Sequence, residues 1–253
     1  MKLLTICPSC NRPELCKRML DSFDATKTED TDIVVYVAID DPQIGKYEDL
    51  LNGRLHIFAP RRSLVKALNY VSCGEYPDVS YYQEVNDDHI YRTPGWDKVL
   101  IDTIEKQGNG WGISFGNDLM TNEPWEVARH PSAAVISGNI VRVLKCFVLP
   151  TLDHLFTDTY LRDIGEGIGA YYRHKDIIIE HCHFISNKAR MDDNYRYIYS
   201  QLSYRQARKK YYTWFRHDKR FDIQKIAEAR KSCGNMSRQK ITKFPFSQQT
   251  KSL

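Results

Sequence analysis

The hydrophobic residues in the first hundred positions form short runs that alternate with segments of helical spacing. Residues 33–39 (IVVYVAI) are an unbroken apolar run, which is typical of a strand covered on both faces. Residues 13–23 instead place apolar side chains three or four positions apart, as one face of a helix requires. This alternation predicts an α/β protein with a mostly parallel central sheet and helices on both faces. The predicted strands are residues 3–7, 33–39, 55–58 and 80–85, and the predicted helices are residues 13–23, 63–71 and 95–107.

The second half of the chain is less regular, because pieces rich in glycine, asparagine and proline separate its apolar runs. Helical spacing returns after residue 192 and continues over a long stretch, with a weak break near residues 215–222. We therefore expect one α/β domain over residues 1–190, with two halves that meet near residue 107, and a helical extension over residues 191–253. Within the second half, strands are predicted at residues 134–137 and 177–180, and helices at residues 139–144 and 154–164.

The composition is that of an ordinary globular protein, with 42% apolar and 27% charged residues in a chain of 253. No apolar run approaches the roughly 20 residues that a helix needs to span a bilayer. Pro8 interrupts the N-terminal apolar run too early for a secretory signal. Seven irregularly spaced cysteines fit a reducing compartment better than a disulfide framework. These observations predict a cytoplasmic protein.

The net charge of +4 is unevenly distributed along the chain. Residues 201–253 contain 14 Lys or Arg and 3 Asp or Glu, a net charge of +11. The other residues contain 22 Lys or Arg and 29 Asp or Glu, a net charge of −7. An acidic body with a basic extension suggests a polyanionic partner. A solvated helix rich in Lys and Arg is the alternative, and charge alone does not decide between them.

Polar side chains follow three of the predicted strands at the point where each strand ends. These segments are PSCNR (residues 8–12), DD (residues 40–41) and NDD (residues 86–88). Because ligands of open α/β sheets bind at the carboxyl ends of the strands, we expect the three segments to line one crevice. Adjacent buried carboxylates repel each other, and a divalent cation with phosphate oxygens would offset that repulsion. A pair of acids that form turns or cap helices is the alternative.

Four stretches of the chain, taken in order, resemble the GT-A glycosyltransferases, and most of all the small single-domain enzymes of bacteriophage genomes. The stretches are PSCNRPELCKRMLDSF, VVYVAIDD, NDDHIYRTPGWD and HLFTD…IIIEHCHF. Together they cover about residues 1–190, and the block at residues 86–97 is the most distinctive. The resemblance implies the Rossmann-like GT-A fold for residues 1–190. A donor-binding half would cover about residues 1–107, and an acceptor-binding half about residues 108–190.

The resemblance implies a metal site. In this family an Asp-X-Asp-like element after a central strand binds Mn²⁺ or Mg²⁺, which holds the diphosphate of a nucleotide sugar. Here the element is Asn86-Asp87-Asp88, a variant with an amide in first place. The resemblance implies Asp88 as the metal ligand, with Asp87 near the ribose or bound to the metal through water. A late histidine completes the metal shell in related enzymes, which implies His183 first and His181 second. Alternation places both on one face of the strand end, and a core histidine is the alternative.

The resemblance also implies which residues contact the donor nucleotide. Two acids match the nucleobase contact, three residues after the first strand match the loop that lies against the nucleotide, and two arginines match a second loop near the donor. A surface basic pair is the alternative for the arginines. The two acids are Asp40 and Asp41. The three residues after the first strand are Ser9, Asn11 and Arg12, and the two arginines are Arg61 and Arg62.

The reaction needs a group that takes the proton of the acceptor hydroxyl, and a carboxylate is the usual base. The resemblance implies Asp158, with His154 four residues earlier on the same helical face as a neighbour that positions it. Asp153 and Asp163 are the fallback candidates, and an exposed acid at a helix start is the alternative. With Asp158 as the base, the reaction is a single displacement that inverts the anomeric centre, although the sequence does not exclude retention.

A competing motif is the CxxC of Cys7 and Cys10, which lies between a strand and a helix as in thioredoxin-like proteins. It also resembles half of a zinc site, with residues 181–183 (HCH) as possible partners. A redox protein of that fold needs a later cis-proline loop and a smaller domain, and a zinc finger needs a second CxxC. Neither is evident, so ordinary strand-end cysteines are the preferred interpretation.

These observations together lead us to expect a metal-dependent glycosyltransferase that moves a hexose, with UDP-glucose as the donor. Some phage enzymes that resemble this chain glycosylate hydroxymethylated pyrimidines in DNA, and the modified base would be flipped out of the duplex. The extension, in which Arg and Lys alternate with aromatic residues, suits double-stranded DNA. A phage-encoded enzyme would act in the cytoplasm of the infected host cell.

Other functions remain open from the sequence. One is a glycosyltransferase that acts on a surface glycan, a lipid or a protein. Another is a non-catalytic module that binds nucleotides or nucleic acid. The basic extension also fits an amphipathic helix that lies on an anionic membrane surface.

Overall fold

The structure, a computed structural model, describes residues 2–28, 30–120 and 130–241, with side chains as far as residue 233. The last residues of the predicted extension, 242–253, lie outside this part. Strands and helices alternate along the first half, so the predicted α/β class is confirmed. The strands are β1 (Leu3–Ser9), β2 (Thr31–Ala38), β3 (His56–Ala59), β4 (Tyr81–Glu84), β5 (His89–Tyr91), β6 (Ile113–Asn117), β7 (Val135–Ser137) and β8 (Tyr171–His181).

Helices pack on both faces of the sheet. A π-helical turn, Val71–Glu75, continues the third helix, and a 3₁₀ turn, Phe184–Ser186, follows β8. Within the described ranges, no helix combines the length and apolar character that crossing a bilayer requires. The helices are α1 (Pro13–Thr26), α2 (Ile44–Leu51), α3 (Leu64–Tyr70), α4 (Trp96–Gly108), α5 (Gly138–Leu144), α6 (Thr157–Gly167), α7 (Asp193–Ile198), α8 (Gln201–His217) and α9 (Lys219–Ile241).

The strands form one sheet in the order β3-β2-β1-β4-β7-β6-β8-β5. The first four strands in that order are parallel, as predicted for the first half of the chain. The second half is mixed, because β7 runs antiparallel to β4 and β6, and β5 runs antiparallel to β8. The prediction of a mostly parallel sheet therefore describes only part of the fold. Strands β5 and β7 have three residues each, which is too short for their direction to be read from periodicity.

Two apolar cores lie on opposite faces of the sheet, because alternate side chains of each strand point to opposite sides. Leu4 and Ile6 of β1 belong to the core that also contains Trp214 of α8 and Ile226 of α9. Leu3 of β1 belongs to the other core, which α1, α2 and α4 cover. Helices α8 and α9 therefore contribute to the folded body, although the sequence predicts them as an extension.

A buried carboxylate anchors the start of α4. Asp97 lies in the first turn of that helix and is fully buried. It accepts hydrogen bonds from the backbone N–H of Thr28 at 2.8 Å and from the Thr28 hydroxyl at 2.7 Å. It also accepts one from the hydroxyl of the buried Thr31 at 2.5 Å. This single side chain therefore joins α4 to the segment that enters β2.

We expect Asp97→Ala to lower the free energy of unfolding by about 3 kcal/mol, because three donors lose their acceptor in a site that water does not reach. Urea denaturation followed by circular dichroism measures the change. Asp102→Ala, on the solvent side of the same helix, is the matched control, because exposed ion pairs contribute roughly 0 to 1 kcal/mol. Equal losses in the two variants would contradict this role of Asp97.

Candidate active site

The carboxyl ends of β1 and β4 open into a cavity of about 470 Å³. Ser9 and Arg12 line it from the β1 side, and Asp87 and Asp88 line it from the β4 side. Tyr195 of α7 lines it from the opposite side. Because β1 and β4 are neighbouring parallel strands, their ends meet at one edge of the sheet. The structure thus brings together two of the three strand-end segments that the sequence singles out.

Asp87 is buried and held by residues that follow β1. The Ser9 hydroxyl donates to one of its carboxylate oxygens at 2.8 Å, and an Arg12 Nη donates to the other at 3.2 Å. Burial, together with the neighbouring charge of Asp88, raises the pKa of Asp87 to about 6. The carboxylate is therefore fixed in position before any ligand binds.

Asp88 is almost completely buried and faces three side chains. The Tyr195 hydroxyl donates to its Oδ2. Its Oδ1 lies 3.1 Å from Nε2 of His181 and 3.6 Å from Nδ1 of His89. Burial opposes the ionisation of Asp88, but His181, His89 and the Tyr195 hydroxyl outweigh it and hold the pKa of Asp88 well below its usual range. Asp88 is therefore an anion in a largely dry site.

The donor set around Asp88 fits a divalent metal ion. Asp88, His89 and His181 each offer a ligand atom, and these atoms lie within 4.8 Å of one another. Asp88 Oδ1 and His181 Nε2 are buried and face each other, and neither has a hydrogen bond to any other group in the described part of the chain. His89 is already engaged, because its Nδ1, the ring nitrogen that faces Asp88, accepts the backbone N–H of Asn86 at 3.2 Å. Asp88 and His181 are thus the residues that would hold an ion. A carboxylate with an imidazole suits Mn²⁺ better than Mg²⁺.

His183, the first choice from the sequence, has a different environment. β8 ends at His181, and the Nδ1 of His183 accepts a hydrogen bond from the backbone of Ile185 at 3.2 Å. The His183 ring packs on Tyr195, with 4.7 Å between ring centroids, and on His181, with 4.9 Å. His183 lines the cavity but lies outside the three-residue cluster around Asp88. The geometry favours His181 over His183, and metal binding by either residue stays a prediction.

A network around Arg12 includes two residues that the sequence analysis missed. Arg12 donates to the carboxylate of Asp192 through Nε at 2.7 Å and through an Nη at 2.8 Å. The guanidinium also lies over the Tyr195 ring, 4.2 Å from its centroid. Asp192 in turn caps α7 by accepting the backbone N–H of Tyr195 at 3.0 Å. In the sequence, Asp192 is an acid that precedes a helical segment, which is typical of a helix cap, but the sequence does not indicate its contact with Arg12.

The acids after β2 do not line the cavity. Asp41 is buried and accepts the backbone N–H of Asn11 at 2.8 Å and that of Gln43 at 2.9 Å. It therefore shapes the β1–α1 loop, in which Asn11 has φ of 56°. Asp40 is exposed and pairs with Nε of Arg61 at 3.2 Å. Asn11 is likewise absent from the cavity lining, so the geometry does not support the implied nucleotide contacts of Asn11, Asp40 and Asp41.

Arg61 and Arg62 do line the cavity. Arg61 donates to Sγ of Cys10 at 3.1 Å, and the guanidinium of Arg62 lies over the Tyr70 ring, 4.3 Å from its centroid. These cations suit an anionic ligand.

The CxxC motif shows no sign of metal binding in the described ranges. Cys7 is buried, and the group of candidate metal ligands found there, Asp88, His89 and His181, contains no cysteine. The redox and zinc interpretations of the CxxC motif therefore gain no support.

The candidate base and its neighbour are not on one helical face. Helix α6 begins at Thr157, after Phe156 with φ of 71°, so His154 lies in the turn before the helix. The predicted helix over residues 154–164 therefore starts too early. His154 lines the cavity, and burial lowers its pKa to about 4, so it is neutral at pH 7. The side chain of Asp158 is 44% exposed, does not line the cavity, and lies 3.4 Å from His130.

The two fallback acids differ in their surroundings. Asp153 lines the cavity and pairs with Lys210 at 2.5 Å. Asp163 is buried away from the cavity lining, where it accepts the hydroxyl of Tyr211 and an Nη of Arg162. Asp163 therefore holds α8 against α6, and of the two only Asp153 is placed to contact a ligand.

Glu84, the last residue of β4, is a further acid that the sequence analysis missed. Burial, reinforced by the charge of Asp158, raises the pKa of Glu84 to about 8. The carboxyl is thus mostly neutral at pH 7 in the folded protein but ionised in the unfolded chain. Since folding then requires uptake of a proton, this group lowers stability progressively as pH rises from about 4.5 to about 8.

We expect Glu84→Gln to raise the free energy of unfolding at pH 7 by about 1 to 2 kcal/mol. The expected gain is smaller than the full pKa shift implies, because water reaches the half-buried side chain and screens its charge. Glutamine resembles the neutral carboxyl and needs no proton, so the gain should vanish at pH 4. Urea denaturation at the two pH values measures it. Glu48→Gln, at an exposed position on α2, is the control and should change nothing. A gain of equal size at both pH values would contradict the titration of Glu84.

The chain is similar to known proteins in its structure rather than in its sequence. No protein-family model and no curated protein matches the sequence. Among solved structures, the chain is similar to TarS of S. aureus in complex with UDP-GlcNAc, with a TM-score of 0.59 and 12% identity over 90% of this chain and 71% of that chain. Another TarS structure, residues 1–349 with UDP, is matched over only 59% of its length.

Two further structures are similar over most of this chain. Glucosyl-3-phosphoglycerate synthase of Mycobacterium tuberculosis, in complex with Mn²⁺, UDP-glucose and phosphoglyceric acid, has a TM-score of 0.58 and 12% identity over 83% of this chain and 79% of that chain. The mannosyltransferase PcManGT of Pyrobaculum calidifontis, in complex with GDP-Man and Mn²⁺, has a TM-score of 0.52 and 10% identity over 90% of this chain and 73% of that chain. At this identity the likeness establishes the fold, and the chain has the GT-A fold of glycosyltransferases.

Proposed function

We propose that this chain is a metal-dependent glycosyltransferase that moves a hexose from a nucleotide sugar to a hydroxyl group. The observation that carries the proposal is the pair of buried atoms, Asp88 Oδ1 and His181 Nε2, that face each other across 3.1 Å and have no hydrogen bond to any other group in the described ranges. They lie in a cavity that arginines also line, at the sheet edge where α/β proteins bind ligands. The GT-A fold supports the same function, although a fold alone does not define one.

The chain's own residues are arranged for a diphosphate. A divalent ion, when held by Asp88 and His181, would neutralise the charge that develops on the departing nucleoside diphosphate. Arg12 is fixed by two hydrogen bonds to Asp192, so little of its freedom is lost when it meets a phosphate. Asp87, fixed by Ser9 and Arg12, contacts the ribose in this proposal.

Asp158 is the proposed base. The acceptor oxygen forms its bond to the anomeric carbon as the bond from that carbon to the diphosphate oxygen breaks, and the acceptor proton passes to the Asp158 carboxylate. This single displacement inverts the anomeric centre. Because Asp158 is half exposed beside the cavity rather than inside it, the acceptor approaches from the α6 side. Asp153, which does line the cavity, is the second candidate.

UDP-glucose is the proposed donor, and a hydroxymethylated pyrimidine in double-stranded phage DNA is the proposed acceptor, modified in the cytoplasm of the infected host cell. Two of the three similar proteins contain a UDP-sugar in their structures, UDP-GlcNAc or UDP-glucose, and the third contains GDP-Man, which supports a UDP-sugar over a GDP-sugar. The charge difference between the body and residues 201–253 supports a polyanionic acceptor. A surface glycan, lipid or protein acceptor is the second candidate, and a non-catalytic binding module the third.

A donor-hydrolysis screen tests the proposal. Purified protein is incubated with Mn²⁺ and a panel of UDP-, GDP- and CMP-sugars, with and without hydroxymethylated duplex. We expect UDP-glucose to be consumed, the consumption to stop with EDTA, and the duplex to accelerate it. Hydrolysis that the duplex leaves unchanged would point to another acceptor. Nucleotide binding without consumption of any sugar donor would identify a binding module instead.

A further inference from the structure

The solvent side of α8 carries cations that the proposed active site does not use. Over Gln201–His217 the helix has five Arg or Lys and no Asp or Glu. Its inward side consists of Ala207, Tyr211 and Trp214, which are buried, and the two aromatic residues belong to one of the cores. The orientation of α8 is therefore fixed by packing, which determines which cations point outward.

Four of the five cations form what we call the α8 basic face: Arg205, Arg208, Lys209 and Arg216. Their spacing of three, four and eleven residues from the first places them on one side of the helix, and all four are exposed. None makes an ion pair with another residue in the described ranges. The fifth cation, Lys210, turns the other way and pairs with Asp153.

The four cations of this face differ from several lysines on α1, α2 and α4, which are paired with acids. On the opposite side of the sheet, Lys17 pairs with Asp21 and Lys46 pairs with Glu14. Lys98 and Lys106 both pair with Asp102. Four neighbouring cations without acids repel one another, and a bound polyanion removes that repulsion.

Helix α8 borders the proposed active site through the side opposite its basic face. The Ser203 hydroxyl at the start of α8 donates to the backbone carbonyl of Tyr197 at 3.1 Å, and the side chain of Tyr197 lines the cavity. Farther along the helix, Lys210 pairs with Asp153, another cavity-lining residue. A ligand on the basic face would therefore be held on the helix that borders the cavity.

The chemistry of the face favours a nucleic acid over a membrane. Three of its four cations are arginines, whose planar groups bind phosphates through two hydrogen bonds. The side of α8 that carries Ala207, Tyr211 and Trp214 is buried in the protein and cannot enter a bilayer, although Leu202 and Phe215 are exposed. Exposed tyrosines accompany the cations: Tyr212 lies within the face, and Tyr197, 77% exposed, lies at the cavity. Such rings stack on bases.

We propose that the α8 basic face binds the phosphate backbone of double-stranded DNA and so retains the acceptor on the helix that borders the proposed active site. Its role in catalysis rests on the proposed glycosyltransferase function, but DNA binding by this face does not. The twelve residues from Arg205 to Arg216 extend about 16 Å, which is the length of about five base pairs along the duplex axis. The four cations can therefore contact one continuous stretch of backbone.

Fluorescence anisotropy with a labelled 20-bp duplex, unmodified in its bases, tests the proposal. Four phosphate contacts give a slope of log affinity against log salt of about −3.6, so wild-type affinity should fall about 100-fold between about 50 and about 200 mM salt. Changing all four cations to glutamine should weaken binding at least tenfold at low salt and remove most of this slope. Point substitutions are used because deleting residues 201–253 would also remove the core residues Tyr211 and Trp214.

The matched control removes the same charge from the opposite side of the sheet through Lys17→Gln, Lys46→Gln, Lys98→Gln and Lys106→Gln. This variant should bind the duplex nearly as well as wild type. Equal losses in the two variants would overturn the proposal, because total charge rather than the α8 basic face would then account for binding. Thermal unfolding shows that both variants fold.

Two competitors separate other partners from DNA. Vesicles of phosphatidylcholine with phosphatidylserine should not bind the protein through this face, and binding to vesicles but not to the duplex would overturn the proposal in favour of a membrane. Polyphosphate that binds this face under conditions in which the duplex does not would overturn the assignment to nucleic acid.

Donor hydrolysis by the α8 variant separates the two proposals. We expect it to remain at the wild-type level while transfer to the duplex is lost. Wild-type protein that binds the duplex through this face but consumes no sugar donor would overturn the proposed function and leave the DNA surface intact. Wild-type protein that consumes the donor but binds the duplex independently of these four cations would overturn the DNA surface and leave the proposed function intact.

Discussion

Asp88→Asn is expected to lower kcat for sugar transfer by about 1,000-fold or more, because the neutral amide no longer provides the anionic ligand of the proposed metal site. That loss corresponds to about 4 kcal/mol of transition-state stabilisation, the size expected when a bound cation no longer stabilises developing charge. The measurement is initial rates of UDP-glucose consumption over a Mn²⁺ titration. The amide oxygen can still accept the hydrogen bond from Tyr195, so the fold should persist.

Asp102→Asn is the matched control, since Asp102 is an acid that pairs with lysines on the solvent side of α4. It should retain wild-type kcat and the wild-type response to Mn²⁺. An Asp88→Asn protein that folds and turns over within tenfold of wild type would rule out Asp88 as a metal ligand. A non-catalytic binding module would instead keep its nucleotide affinity in the Asp88 variant.

Asp158→Asn is expected to lower kcat by about 100- to 10,000-fold, which is the usual contribution of a general base. The donor KM should change little, because the side chain of Asp158 does not line the cavity in which the donor is proposed to bind. Steady-state kinetics with saturating acceptor separate the two constants. Loss of kcat without loss of donor binding is the result that distinguishes a base from a donor ligand.

Asp153→Asn and Asp163→Asn provide the comparison for this assignment. Asp163 accepts hydrogen bonds from Tyr211 and Arg162 in a buried site, so its variant should lose stability. Asp153 lines the cavity, and a large kcat loss in Asp153→Asn with near-normal kcat in Asp158→Asn would transfer the role of base to Asp153. It would also place the acceptor inside the cavity rather than on the α6 side.

Much of the sheet could be predicted from the sequence because buried strands require apolar runs. β1, β2 and β4 all lie within two residues of their predicted limits, and the predicted helix over residues 63–71 corresponds to α3, which the Ser63 side chain caps. β8 is longer than the predicted residues 177–180, because its first half, from Tyr171, is only partly buried and includes polar side chains. Such a strand is defined by its pairing with β6, and pairing of distant residues leaves no local pattern.

The candidate site was partly predictable for the same physical reason. Ser9, Arg12 and Asp88 follow strands that are neighbours in the sheet, so topology brings them together. Asp41 also follows a strand, but an acid in that position can equally serve the backbone of the next turn, which is its role here. Asp192 contacts Arg12 across 180 positions of the chain, and nothing in the local sequence of either residue indicates that contact.

Helix α7 lies at the cavity, although it follows residue 190, where the predicted catalytic domain ends. Asp192 and Tyr195 reach the strand ends although they follow residue 190, the predicted end of the catalytic domain. That boundary stays a prediction. The contacts of α7 with Arg12 and Asp88 make it part of the cavity wall.

The central claim is that Asp88 and His181 hold a divalent ion against the diphosphate of a sugar nucleotide. A crystal grown with Mn²⁺ and UDP, measured at the manganese absorption edge, tests it most directly. We expect one strong anomalous peak between the Asp88 carboxylate and the His181 imidazole, in contact with the diphosphate oxygens. Clear density for UDP with no peak beside Asp88, or a peak at another cluster of acids, would contradict the claim.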